Sequence, residues 1–381
     1  MLSRILKLPL EGQNSIFLFG PRGTGKTSWI KQSLASEIYL DLLDSSTYNP
    51  LAANPSRLQD LIPQGYAGWV VIDEVQRIPE LLNEVHRLIE LKKIKFLLTG
   101  SSARSLRRSG VNLLAGRALK YSMHPLVVQE FGGTPFQLDT ILQYGLLPGA
   151  IGHSKPEKYL ESYVQTYLRE EVLQEGLTRN LGTFTRFLEV ASFSQGQVLN
   201  ISEISRELAL SRTSVANYFD ILEDLLLAVR ISVFSRRAKR KVITHQKFYF
   251  FDTGVYKTLR PKGPFDSTAE LEGAGLETLF FQSLRAINDY YELNYQIHFW
   301  RTLAGDEVDF VIYGPRGFHA FEIKRSSQIK PKDLKGLKNF GEDYPEAKLY
   351  ALYLGNHKEY HGNINVMPFE EALRLLPELI G

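Results

Sequence analysis

"FLFGPRGTGKTSWI", Phe17 to Ile30, decides the fold of the first third of this chain. An apolar run breaks at Gly20 and gives way to a helical pattern after Lys26-Thr27. The stretch reads as a buried strand, a glycine-rich loop and a helix start. In a GxxxxGKT loop the glycines let backbone N–H groups curl around phosphates, and the helix N-terminus adds its positive end. Lys26 neutralises the β- and γ-phosphates, and the Thr27 hydroxyl takes a place on Mg²⁺. The expected nucleotide contacts are Gly20, Pro21, Arg22, Gly23, Thr24, Gly25, Lys26, Thr27 and Ser28. ATP and Mg²⁺ are the implied cofactors.

Further apolar runs flank this loop. "SIFLFG", "EIYLDL", "GWVVIDE" and "IKFLLTGS" are short and nearly continuous, as in a parallel sheet buried on both faces. "WVVIDEV" ends in Asp73-Glu74. An acid at the C-terminal edge of a strand can hold Mg²⁺ through water, and its neighbour can position or deprotonate the attacking water. Asp73 is therefore assigned to the metal and Glu74 to the base. "FLLTGSS" ends in hydroxyls, which suit a γ-phosphate sensor. Ser101 is the expected sensor and Thr99 the alternative.

These motifs resemble the AAA+ superfamily of P-loop ATPases. They resemble more closely a prokaryotic AAA ATPase family, which the segment "LAGRALKYSMHPLVVQEF", Leu114 to Phe131, also suits. The resemblance implies an ATPase and an arginine that reaches a neighbouring subunit's γ-phosphate. Arg117 is the candidate, with Arg104 a second. An arginine acting in trans requires a homo-oligomer.

With 381 residues, the chain is too long for one typical core. Hydrophobic content of 44% and charged content of 23% suit a soluble globular protein. There are no cysteines, which excludes disulfides, thiolate metal sites and a cysteine nucleophile. The first residues are too broken by charge and proline for a signal peptide, and no apolar run is long enough for a membrane span. A cytoplasmic protein is expected. The net charge of +3 is too mild by itself to imply nucleic acid. The eight histidines lack zinc-site spacing, and no serine sits in a GxSxG elbow.

The expected parts are residues 1–134, a P-loop ATPase, and 135–180, a helical lid or linker. A winged-helix-like domain at 181–246 and a mixed α/β domain at 247–381 follow. "NISEISRELALSRTSVANYFDILEDLLLA" has the rhythm of a helix-turn-helix. Its second helix should present Arg212, Thr213, Ser214 and Asn217 outward, and Val215, Tyr218, Ile221 and Leu222 inward. Such polar residues can read a DNA groove. The basic "RRAKRK", Arg236 to Lys241, suits a wing or a phosphate-contacting strand. DNA is the expected macromolecular partner, and packing of the module within the ATPase is the alternative.

"GDEVDFVIYGPRGFHAFEIKRS", Gly305 to Ser326, reads as a hairpin. Closure at Gly314-Pro-Arg-Gly317 sets Tyr313 opposite Phe318 and Asp309 opposite Glu322. Lys324 then lies on the Glu322 face, and Glu307 lies opposite Lys324. Val308, Phe310, Ile312, Phe321 and Ile323 form a core face. Opposed like charges destabilise a sheet, so a cation is expected between them. The pattern resembles the PD-(D/E)xK nuclease superfamily, whose fold is restriction-endonuclease-like. Asp309 would be the first acid, Glu322-Ile323-Lys324 the ExK element, and Glu277 the acid of a preceding helix. The resemblance implies Mg²⁺ on Glu277, Asp309 and Glu322, with Lys324 in catalysis. Two functional readings stand: an ATPase that controls a nucleic-acid-binding or nuclease domain, and a signalling ATPase whose C-terminal domain only binds a partner. A DNA-stimulated motor is a third.

Overall fold

The computed structural model describes residues 3–35, 37–102, 114, 116–132, 135–167, 181–236, 240–261, 263 and 268–381. Arg104 and the end of the expected lid helix fall outside the described residues. The chain forms two compact units. One is built mainly from Arg4–His124, the other from Pro125–Glu223 and Ala228–Gly381.

In the first unit, β1 (Ser15–Phe19) leads through the glycine-rich loop into α1 (Lys26–Ser33). Strand β2 (Ile38–Asp41) follows, then α2 (Ser45–Ala53), β3 (Trp69–Asp73), α3 (Leu81–Lys92), β4 (Lys95–Gly100) and β5 (Ala118–Ser122). The sheet order is β2-β3-β4-β1-β5, and all neighbours run parallel. Every residue of β1 and β3 is buried. That accounts for their unbroken apolar sequence. Helix α3 buries Leu81, Leu82, Val85 and Leu88, a helical stripe that closes one face of the sheet. Such side chains each contribute about 1.5–3 kcal/mol on full burial. Because β1 lies between β4 and β5, the chain order reverses beside it. In open parallel sheets this switch point, at the carboxyl ends of the strands, is where ligands bind.

In the second unit, α4 (Leu138–Tyr144) and α5 (Pro156–Ser162) precede α6 (Leu181–Ser192). Then come β6 (Gln197–Val198), α7 (Ile201–Glu207), α8 (Arg212–Asp224), β7 (Ala228–Ile231) and β8 (Lys247–Phe250). The strands pair antiparallel in the order β6-β8-β7. The boundary expected at residue 246 therefore falls inside this small sheet. Asn200 caps α7 by accepting from the Glu203 N–H, and the Ser211 hydroxyl accepts from the Ser214 N–H at the start of α8. Val215, Tyr218, Ile221 and Leu222 are buried, whereas Arg212, Thr213 and Asn217 are exposed and Ser214 is half-buried.

After α9 (Thr253–Leu259) and the long α10 (Thr268–Tyr290), a six-stranded sheet forms. Its strands are β9 (Gln296–Arg301), β10 (Glu307–Gly314), β11 (Gly317–Lys324), β12 (Lys348–Tyr353), β13 (Glu359–His361) and β14 (Ile364–Pro368). Their order is β13-β14-β12-β11-β10-β9. Helix α11 (Lys335–Asp343) packs Leu337 and Phe340 into the cluster of Val311, Ala320 and Trp300. Phe281 of α10 stacks on Phe310, and Phe280 meets both Phe310 and Phe321 at a tilt.

The hairpin closes in the expected register, with Tyr313 opposite Phe318 and Phe310 opposite Phe321. Its faces differ from expectation. Pairing with β9 slips between Val308 and Val311, which is a β-bulge. The bulge turns Val308 into the cluster of Val311 and Ala320 instead of the Phe310 face. Both faces are packed, so no open acidic face exists.

The described residues between β7 and β8 run along the β9 edge. Phe234 N–H donates to the Phe299 carbonyl, Phe299 N–H to Ser232, and Ile243 N–H to Arg301, which covers the β9 edge. Phe234 is buried against Phe318, Phe340 and Tyr344. Arg236 donates to Gln296 and lies over the Tyr313 ring, and Arg240 pairs with Glu342 and Asp343. These two members of the expected phosphate-binding cluster are thus engaged within the chain. Residues 237–239 lie outside the described ones.

His319 on β11 is buried, with its ring stacked near Phe321 and Tyr350. Burial, aided by Lys348, lowers its pKa from 6.5 to about 4. The unfolded chain then takes up a proton that the fold resists. This contribution to stability is complete above pH 6.5 and is lost as pH falls through about 4. His319→Phe keeps the stacking and is expected to flatten this acid limb. Urea midpoints measured between neutral pH and pH 4 check it, and an unchanged slope would contradict the assignment.

Candidate functional site

The nucleotide-type site is built at the carboxyl ends of β1, β3 and β4. Gly23 and Gly25 have φ of 77° and 91°, a region that favours glycine, and they coil the loop after β1. The buried Thr24 hydroxyl donates to the Pro21 carbonyl at 2.7 Å and closes the loop on itself. Gly20 has no room for a side chain: a Cβ there would stand 2.3 Å from the Met123 carbonyl oxygen. Gly20→Ala is expected to cost about 1–3 kcal/mol as overpacking against backbone. Thermal or urea unfolding measures it, and an unchanged midpoint would refute the close approach.

Lys26 is only 5% exposed, and its Nζ donates to the carbonyls of Gly20 and Pro21 at 2.6 and 3.3 Å. The ammonium is thereby held over the loop. Thr27 Oγ1 donates to Asp73 Oδ2 at 2.9 Å. The Tyr39 hydroxyl donates to the same oxygen, and the Thr99 hydroxyl donates to the other one. Burial, then the Asp73 carboxylate beside it, pushes the Tyr39 phenol well above its ordinary value. Tyr39 therefore stays a hydrogen-bond donor.

Glu74 has φ 61°, uncommon for a residue with a side chain. Its N–H donates to Thr99 Oγ1 at 3.1 Å. Its carboxylate accepts from Gln76 Nε2, which also donates to Ser101 Oγ at 3.0 Å. Of the two sensor candidates, Thr99 ties Asp73 to the Glu74 backbone, and Ser101 reaches Glu74 mainly through Gln76. A Cβ at Gly100 would meet Gln76 Oε1 at 2.6 Å, so that glycine makes room for the bridge. Sequence reasoning missed Gln76 and Tyr39. Gln76 two residues after Glu74 was a local signal, whereas Tyr39 reaches the site only through strand pairing. Arg117 sits beside the edge strand β5, 38% exposed, and pairs with Glu90. Pro21 is buried in the loop, and Arg22 and Ser28 are exposed beside it.

Thr27 and Asp73 suit Mg²⁺: a hydroxyl and a carboxylate lie in contact, and the ion takes hard oxygen ligands completed by water.

A second constellation joins β8 of the small sheet, α10 and the strands β10 and β11 of the six-stranded sheet. Lys247 on β8, 2% exposed, places its Nζ 3.0 Å from Glu277, 2.9 Å from Glu307 and 3.3 Å from Asp309. The Tyr249 hydroxyl donates to Glu277 at 2.9 Å. Asp309 Oδ2 accepts from the Ile323 N–H at 2.8 Å, so both of its oxygens are engaged. Glu307 turns to Lys247 and Arg301, not to Lys324. Glu322 pairs with Lys324, and its Oε2 is buried without a hydrogen-bond partner.

The electrostatics follow from burial. Burial and the Asp309 charge push Glu277 up to about 7 against the pull of Lys247. The same two causes push Glu322 well above the carboxylate range, against Lys324. Burial alone would lower Lys247, but Glu277 and the other surrounding acids hold it well above its usual value. The structure therefore brings Glu277 and Asp309 together around Lys247 and leaves Glu322 on Lys324. Lys247 was missed because it lies at the start of an apolar strand, remote from every acid in sequence. The acid centre does not fit Mg²⁺ as first expected. An ammonium already stands among the three carboxylates, and among the described residues no group of three or more His, Asp or Glu side chains is arranged to hold a metal ion.

The glycine-rich loop, the paired acids and the parallel strand order can be set beside known proteins. Residues 12–132 match a family model described as an AAA domain. The AAA domain thus coincides with the unit that carries Lys26, Asp73 and Glu74. Residues 136–266 and 272–372 match two models, each described as a domain of unknown function. The first of these spans the expected lid and the small three-stranded sheet together. Uncharacterized proteins of Mycobacterium bovis and Mycobacterium tuberculosis are each 28% identical over 367 residues, covering 93% of this chain and 79% of theirs. Among solved structures, the Aeropyrum pernix ORC1 protein in complex with DNA is 14% identical, with a TM-score of 0.24, over 65% of this chain and 86% of that one. Among the described residues no helix is long and apolar enough to cross a membrane.

Proposed function

We propose that this protein is a Mg²⁺-dependent ATPase whose nucleotide state controls a C-terminal partner-binding module. The observation that carries the reading is the convergence of Lys26, Thr27, Asp73 and Glu74 at the strand ends of an AAA domain. Thr27 and Asp73 are the residues that would hold Mg²⁺, which when bound supplies positive charge to the phosphates. Lys26 exchanges its loop carbonyls for phosphate oxygens. Glu74, aimed by its backbone bond to Thr99 and by Gln76, orients the attacking water and takes its proton. Ser101 and Gln76 register the γ-phosphate through Glu74. Arg117 is assigned to a neighbouring copy's nucleotide, in exchange for Glu90.

For the C-terminal module we favour a restriction-endonuclease-like fold that engages nucleic acid without cutting it. Support for the fold comes from the hairpin register that brings Asp309 and the Glu322–Lys324 pair onto adjacent strands. Support for binding over cleavage comes from Lys247 among the acids. The exposed Arg212, Thr213 and Asn217 of α8 are the proposed DNA-facing side chains, in a winged-helix-like module.

The test is phosphate release from ATP with Mg²⁺, with and without duplex DNA, alongside a nicking assay. Turnover without nicking is expected. Absence of turnover would overturn the ATPase reading. Nicking that disappears in Asp309→Ala would overturn the binding-only reading.

A further inference from the structure

The acid centre holds more than a surface ion pair. Glu277 comes from α10, and Glu307 and Asp309 come from β10. All three carboxylates lie within 3.3 Å of one nitrogen, Lys247 Nζ, delivered from β8 of the small three-stranded sheet. The lysine is buried; the Tyr249 hydroxyl donates to the same Glu277 oxygen that Lys247 meets, and the Ile323 N–H occupies the second oxygen of Asp309. Asp309 is buried and Glu277 and Glu307 are half-buried, and like charges gathered where water is largely excluded demand a cation. A divalent ion is the usual answer where oxygens converge. Here the chain supplies the cation itself.

We propose that Lys247 is a built-in counter-cation that occupies the acid centre and excludes divalent metal ions from it. The ammonium stands where a metal would have to stand. A metal would require its three oxygen partners to give up the lysine and draw in to roughly 2.0–2.6 Å. The displaced ammonium would then be a buried, unpaired charge. Occupation by Lys247 therefore wins in the native chain. Removing the ammonium while keeping the acids should turn the centre into a divalent-ion site. The inference concerns the same acids as the C-terminal part of the proposed function but requires neither ATP turnover nor DNA binding.

The probe is Mn²⁺ alone, without nucleotide, followed by the paramagnetic resonance signal of the free ion and by the thermal midpoint. Full-length wild type and Asp309→Asn are expected to bind Mn²⁺ alike. Lys247→Met, which keeps the length and the apolar stem, is expected to gain one site at least tenfold tighter than any in wild type. Its midpoint should rise with Mn²⁺, and both effects should vanish in Lys247→Met/Asp309→Asn. Lys247→Arg keeps the charge and should gain nothing. Mn²⁺ binding in wild type that is lost in Asp309→Asn would overturn the proposal. So would a folded Lys247→Met that gains no site. If Lys247→Met does not fold, the comparison of wild type with Asp309→Asn decides by itself. Nucleotide-dependent Mn²⁺ binding, measured separately with ATP, reports on the AAA domain and stays independent of Asp309. Failure of the ATPase reading is thereby distinguishable from failure of this one.

Discussion

Lys26→Ala is expected to lower ATP turnover about 100-fold or more, the scale seen when one preorganised group facing developing charge is removed. Lys26 is almost fully buried and is held over the loop by the carbonyls of Gly20 and Pro21. An alanine at the first position of α1 favours the helix, so the fold should survive. The loop keeps its shape through Gly23, Gly25 and the Thr24 hydroxyl. The loss should therefore lie in phosphate contact rather than in folding. Circular dichroism checks the fold, phosphate release gives the rate, and fluorescent-nucleotide titration gives the affinity. Affinity should fall as well, because a charge-assisted hydrogen bond is worth about 1.5–3 kcal/mol. Unchanged turnover in a folded Lys26→Ala protein would show that this loop is not the site of ATP turnover.

Glu74→Gln should separate binding from chemistry. Glutamine matches the glutamate in shape, and it can keep a polar contact with Gln76 and Ser101. It cannot take a proton from water. Turnover is expected to fall by about 10²–10⁴, the usual contribution of a positioned general base, while ATP binding stays close to wild type. The left-handed backbone at Glu74, with its N–H on Thr99, should persist because the substitution leaves the main chain untouched. Single-turnover phosphate release and nucleotide titration read the two quantities. A parallel loss of binding would mean that Glu74 organises the site instead of acting on water.

The two sites differ in how far they could be read before folding. The candidate nucleotide site was legible because its residues are local. Gly20 to Thr27 form one loop, and Asp73-Glu74 and Thr99 to Ser101 end strands that parallel pairing brings side by side. Even there Tyr39 stayed hidden, since it reaches Asp73 only because β2 pairs with β3. The hairpin was legible for the same reason. A Gly-Pro-Arg-Gly turn sets Tyr313 on Phe318, and simple alternation carries the register toward Asp309. Alternation fails at the bulge between Val308 and Val311, which depends on β9 and not on the hairpin. The basic segment read as a wing or a phosphate-contacting strand because its charges are contiguous. The backbone of the flanking residues Ser232, Phe234 and Ile243 instead completes the β9 edge, whose unpaired N–H and C=O groups need partners.

By itself the sequence determined the P-loop, its paired acids, the parallel character of the first sheet and the closure of the acidic hairpin. Each rests on neighbours within a few residues, where backbone geometry and side-chain alternation leave little choice. Only the tertiary structure decided what the hairpin's carboxylates meet. Lys247 precedes Glu277 by thirty residues and Asp309 by sixty-two. It reaches them because β8 joins β6 and β7 beside α10 and β10. A gathered set of acids specifies that a cation must be present. Which cation it is depends on what the rest of the chain brings within about 3 Å, and that is a property of the packed fold.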